Sequence, residues 1–291
     1  MIPHNRLLAF APAGWSSPLV AAAEPANLRE TAAGEIRVAL GTNWAAMLTD
    51  LRRVGPVLSI TRNSHAVIGR EAQRFQPGTA DFDFEFGFWH HARAVHGRKE
   101  GRNTFAIEWF DAAGEIHHKT CLTPQSDLAE FADWVNQYQA LGEETPREPA
   151  VLPRPVDHLT AELADGQLIH RGSVDYVLRE AISQGQSLRV IIGNNASVQG
   201  HSFTPVGLRI SDQWCFIQGD HVGIHLRTRN LAEVLLLATE FPTGRFASLK
   251  LYDPEARLVA AIQPPPEADA RDWNDFILSR IVTVPSFPSQ T

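Results

Sequence analysis

R-N-S-H-A-V at residues 62–67 and G-N-N-A-S-V at residues 193–198 stand 131 positions apart, each starting on the last residue of a run of strand character, V-L-S-I-T-R and L-R-V-I-I-G. Further along, F-A-I-E-W-F-D at residues 105–111 is answered by A-S-L-K-L-Y-D at 247–253. Both pairs occur in the same order and in the same predicted element, which points to an internal duplication. Each copy reads as helix, turn, strand, meander and hairpin. The strands follow one another through short turns rather than alternating with helices, so the pattern favours an antiparallel α+β fold over a doubly wound sheet.

Working outward from that core, a helix is expected from about Asn43 to Val54, where Trp44, Met47, Leu48 and Leu51 recur at helical spacing before Gly55-Pro56. The run D-F-D-F-E-F-G-F-W, residues 81–89, alternates so cleanly that one strand with a buried Phe face is expected throughout. Asp111-Ala112-Ala113-Gly114 joins two β-rich runs as a hairpin turn. Thr123 is expected to cap the next helix with Pro124 in its first turn, and Ser173 to cap its counterpart ahead of Gly185. A proline-rich acidic stretch separates the halves and has linker composition. The expected boundaries are an irregular arm at 1–40, a first repeat at 41–145, a linker at 146–172 and a second repeat at 173–283.

With 291 residues, 44% of them hydrophobic, the chain can bury a substantial core. A net charge of −7 argues against nucleic acid or an anionic membrane surface as a general partner. Cys121 and Cys215 are far apart and outside any C-x-x-C pattern, so a thiolate zinc site and a disulfide framework are not indicated. The early apolar run is interrupted by Pro12, Gly14, Trp15 and Pro18, and no stretch reaches the roughly 18 apolar residues of a membrane span. A cytoplasmic protein without membrane insertion is expected. Twelve His residues invite a metal reading, yet the doublets His90-His91 and His117-His118 lie on strands, where neighbours point to opposite faces. His118 and His225 read as structural, and Trp44, Trp109, Trp134 and Trp214 as core.

Several ordered motifs resemble the HemS/ChuS/HmuS family of haemin-utilisation proteins: L-R-R-V-G-P-V-L-S-I-T-R-N-S-H-A-V at 51–67, I-E-W-F-D-A-A-G-E-I-H-H-K-T at 107–120, V-I-I-G-N-N-A-S-V-Q at 190–199, the W-C-F-I-Q-G-D-H-V-G-I-H-L run at 214–226 and P-T-G-R-F-A-S-L-K-L-Y-D at 242–253. The resemblance implies two stacked, mostly antiparallel sheets flanked by helices, one per repeat. It also implies a cleft for haem, reached by a His from the start of the second half, and a role in receiving haem from an ABC importer. Trafficking is the expected activity; haem oxygenase-like degradation is the enzymatic option. The family's ligand His is followed thirteen residues later by an Arg, and His158 and Arg171 stand at that separation.

Haem needs an axial imidazole, cations for two propionates and an apolar slot. His158 is therefore the first candidate ligand and His170 the second, with Arg171, Arg179 and Arg245 as candidate propionate partners. Three positions where the family carries cations differ: Glu85, the Thr239–Thr243 run, and Gln263-Pro264-Pro265. Those departures leave open a diverged member that binds another small molecule or acts as an interaction protein. No nucleophile-elbow, phosphate-loop or H-E-x-x-H motif occurs.

Overall fold

The computed structural model describes residues 35–72, 81–99, 102–140, 165–211 and 213–282. The first half runs β1 (Ile36–Leu40), α1 (Trp44–Asp50), a 3-10 turn (Leu51–Val54), β2 (Val57–Arg62), β3 (Ala66–Ala72), β4 (Phe82–Phe84), β5 (His91–Lys99), β6 (Arg102–Phe110), β7 (Ile116–Leu122) and α2 (Leu128–Tyr138). The second half runs β8 (Gln167–Leu168), α3 (Gly172–Gln184), β9 (Leu188–Gly193), β10 (Ser197–Phe203), β11 (Gly207–Ile210), β12 (Cys215–Gly219), β13 (Val222–Leu226), β14 (Glu233–Phe241), β15 (Gly244–Tyr252), β16 (Leu258–Gln263) and α4 (Ala270–Leu278). β1 and β8 take up residues that the sequence reading leaves in the arm and the linker.

All described strand pairs are antiparallel, and they form two sheets. The order β1-β5-β6-β7-β2-β3 in the first sheet is repeated as β8-β14-β15-β16-β9-β10 in the second. The duplication read from two short motifs is thus a duplication of whole topology. Each copy also lends strands to the other. β13-β12-β11 from the second half extend the first sheet beyond β3, through the register Ile224 to Ile68, while β4 from the first half extends the second sheet beyond β10.

The helices sit on one face of each sheet. α1 and α2 place Met47, Leu48, Phe131 and Trp134 against Ala92, Ala94, Ile107 and Trp109. α3 and α4 place Val177, Leu178, Trp273 and Phe276 against Val190, Leu249 and Ile262, and the same cluster takes in Ile68 and Ile224 of the first sheet. Alternation along β14 sends Val234 into this cluster and Leu235 and Leu237 to the opposite, outer face. Among the described residues no helix is long and apolar enough to cross a membrane.

Three local expectations are corrected. The run 81–89 is not one strand: only Phe82–Phe84 pairs, and Phe86–Phe88 closes a 3-10 turn that Glu85 caps by accepting from Gly87 N–H. The Phe rings fold onto one another and onto Trp89, with Phe86 and Trp89 centroids 5.2 Å apart, and this packing outweighs the two-residue period. Thr123 does not cap α2, because its hydroxyl donates to Pro56 O at 3.0 Å; Asp127 accepts from Ala129 N–H and Glu130 N–H instead. Ser173 lies inside α3, buried, where its hydroxyl accepts from Val282 N–H at 3.0 Å.

Candidate functional site

The two copies meet at a pseudo-twofold seam built from the turns that follow β2 and β9. Asn63 Oδ1 accepts from the N–H groups of His65 and Ala66, closing its own turn, while Nδ2 donates to Gly193 O at 3.0 Å and Val259 O at 2.8 Å in the other repeat. Asn194 does the same in reverse. Its Oδ1 accepts from Ala196 and Ser197 N–H, and Nδ2 donates to Arg62 O at 2.7 Å and His117 O at 2.8 Å. The sequence offered both Asn residues in its alignment, but nothing local shows that a turn side chain also satisfies carbonyls 130 and 196 positions away.

Beneath the seam, Ser59 and Thr61 on β2 and Gln199 on β10 form a buried polar group with His118 on β7. Thr61 Oγ1 lies 2.9 Å from His118 Nδ1 and donates to Gln199 Oε1 at 3.0 Å. Complete burial holds the His118 pKa well below its usual value, so the ring is neutral. The structural reading of this His holds.

A cleft of about 720 Å³ opens at the seam. Its walls include Val67, Ile116, Val198 and Leu258, and its polar groups include Arg62, Arg227 and Arg257 with Asp111, Glu115 and Asp253. Two of the Arg residues face carboxylates: Arg257 Nε donates to Asp253 at 2.8 Å, and Arg62 lies 3.9 Å from Glu115. Arg227 instead lies over the ring of Trp214, 4.5 Å from its centroid. Trp214 is half-buried and lines the cleft, so it is not the core residue its spacing suggested. His117 also lines the cleft; it is 5% exposed, and burial lowers its pKa to about 3.

None of the described candidate haem residues lines this cleft. His158 lies outside the described residues. His170 and Arg171 follow β8 directly; both are exposed, His170 Nδ1 accepts from Gly172 N–H at 3.1 Å, and Arg171 donates to Arg229 O at 3.4 Å. Arg179 is exposed on α3. Arg245 is exposed near the start of β15, 3.5 Å from its cross-strand partner Glu240. Among the described residues no hydrogen bond or ion pair joins these four side chains to one another.

A separate apolar cluster lies on the outer face of the second sheet. There Leu235, Leu237 and Tyr252 are buried and packed with Leu168 of β8. Ser248 is fully buried in β15, and its Oγ has no partner. Their apolar character suits a macrocycle's face, although Leu235, Leu237, Tyr252 and Ser248 are all covered in this structure. The cation set fits less well: Glu85 is exposed and accepts from Gly87 N–H at 3.3 Å, and Gln263 ends β16 before Pro264. The described candidate residues therefore do not form an assembled haem site.

A tandem pair of α+β modules with interlocked antiparallel sheets is the class these observations define. A family model for the haemin-degrading HemS.ChuX domain matches residues 159–279, and one for haem utilisation ChuX/HutX matches residues 37–141. Together they take in most of the chain, one per repeat, and the chain belongs to this haemin-utilisation family. Among solved structures it is similar to holo-PhuS, a heme-binding protein from Pseudomonas aeruginosa, with 21% identity, a TM-score of 0.72, and coverage of 85% of this chain and 87% of that one. It is also similar to ChuS, a heme oxygenase of E. coli, with 17% identity, a TM-score of 0.74, and coverage of 84% and 88%. At these identities the likeness is one of fold. No curated protein matches the sequence.

Proposed function

We propose that the chain binds haem in haem-iron utilisation, holding it against the outer face of the second sheet with His158 as the iron ligand and Arg171 as a propionate partner. The observation that carries this reading is the apolar cluster of Leu168, Leu235, Leu237 and Tyr252, in the half that the haemin-degrading family model matches and on the sheet whose strand β8 follows His158 in sequence. Arg171 supports it by standing exposed three residues beyond Leu168, at the start of α3. His170 is the alternative ligand, with Arg179 and Arg245 as further cations available to the ligand's rim. A cytoplasmic carrier that takes haem from an ABC importer accords with family membership and with a net charge of −7, which disfavours membrane association. Carriage is favoured over ring opening because Glu85 stands where the family places a cation, and oxygen activation at iron requires a controlled distal side.

Titration of the purified protein with haemin tests the reading. The wild type is expected to give a saturable Soret shift, His158→Ala to weaken binding at least ten-fold, and His170→Ala to leave it unchanged. A wild type that gives no saturable shift removes the haem assignment; a shift that survives His158→Ala and disappears in His170→Ala moves the ligand to His170.

A further inference from the structure

The seam cleft is not used by the proposed haem site, and its chemistry differs from what a porphyrin dianion requires. Asp111, Glu115 and Asp253 line it alongside Arg62, Arg227 and Arg257, so the lining is balanced in formal charge. Two of those cations are engaged, Arg257 with Asp253 and Arg62 with Glu115. Arg227 has no carboxylate partner among the described residues, its Nε is buried without a hydrogen-bond partner, and its guanidinium is stacked on Trp214. Stacking fixes the plane of a guanidinium and leaves its edge for two parallel hydrogen bonds, the arrangement that matches a carboxylate. With the other two Arg residues engaged, Arg227 matches a single negative charge, and Asp111 on the same lining opposes a second. His117 adds a polar group to the cleft wall, its Nδ1 3.0 Å from Ser197 Oγ. Val67, Ile116, Val198 and Leu258 provide apolar wall, and about 720 Å³ accommodates a body of two or three fused rings.

We propose that this cleft binds a monocarboxylate with a flat apolar body, its carboxylate held by Arg227 on the Trp214 platform and a polar edge meeting His117. The site is separate from the haem face, so both ligands bind the same molecule.

Calorimetric titration of the full chain with 2-naphthoate, and with 2-naphthamide as its neutral isostere, tests the proposal. Naphthoate is expected to bind at least ten-fold more tightly than the amide, and Arg227→Gln to abolish that preference. Arg227→Lys, which keeps the charge and loses the paired geometry, is expected to fall between. The Soret response of Arg227→Gln to haemin should equal that of the wild type, which separates this site from the haem reading. Equal binding of acid and amide, absence of binding, or a preference that survives in Arg227→Gln overturns the proposal. Displacement of naphthoate by one equivalent of haemin overturns the claim of separate sites.

Discussion

Asn63 and Asn194 each use all their hydrogen-bonding capacity, half of it inside their own turn and half across the seam. Truncating one leaves two carbonyls of the opposite repeat and two turn N–H groups to find other partners. Asn63→Ala is therefore expected to destabilise the protein by about 2–3 kcal/mol, seen as a lower urea midpoint at unchanged slope. A midpoint equal to wild type would show that the clamp is dispensable. The buried imidazoles give a second expectation. Burial holds His117 near 3 and His225 near 4, and His118 well below its usual value, whereas in the unfolded chain all three titrate near the ordinary 6.5. Between those values the unfolded chain binds more protons, so stability is complete above about pH 6.5 and falls as pH drops toward 4. The slope is on the order of 1.4 kcal/mol per pH unit for each His. Urea midpoints at pH 7.5 and 5.0 measure it, and equal midpoints would remove the argument. A third residue invites improvement: Ala256 has φ 60, at the turn position where Gly114 has φ 76 in the other repeat. Ala256→Gly relieves a left-handed backbone that costs about 1–2 kcal/mol, partly offset by the freer unfolded chain, for a net gain of up to about 1 kcal/mol in thermal unfolding. A melting point lowered by the substitution would contradict this.

At the level of elements, the sequence was most readable where one face is buried and one is wet. The β6–β7 hairpin, β9, β15, α3 and its left-handed Gly185 cap lie where periodicity and turn residues put them. It misled where side chains bonded at long range. Thr123 resembles a cap because it precedes Pro124, yet its hydroxyl is drawn to Pro56 O. The Phe82–Trp89 run alternates like a strand, yet its rings pack together and Trp89 Nε1 donates to Ala196 O at 2.9 Å, fixing β4 against β10. That makes β4 a pin between the halves. Phe84, buried between Trp89 and His118 with centroids 5.3 Å from each, is its anchor. Phe84→Ala is expected to cost about 3 kcal/mol, measured as a lower urea midpoint. Retention of wild-type stability would mean that β4 contributes little.

Across the whole molecule, the duplication was visible in ordered motifs, but the exchange of strands was not, since alternation along a strand does not encode which sheet receives it. The candidate site was the least legible part. The family spacing named His158 and Arg171, whereas the seam cleft is assembled from residues spread between positions 62 and 260 that carry no local signature. Exchange has a mechanical outcome. With β11, β12 and β13 in the first sheet and β4 in the second, cutting the chain between the repeats should not release them. A specific protease site placed between Gly142 and Pro155 is expected to yield two fragments that elute together at the size of the intact protein and separate only in denaturant. Fragments that part under native conditions would show that the traded strands do not hold.

The paired Asn fittings bear on how such a chain can change. Each grips backbone carbonyls rather than side chains, so the gripped positions are at liberty to vary: His117 in one half faces the same duty as Val259 in the other. A joint of this kind tolerates lopsided specialisation, in which one copy acquires a ligand face while its twin becomes scaffold, without either losing its hold on the other.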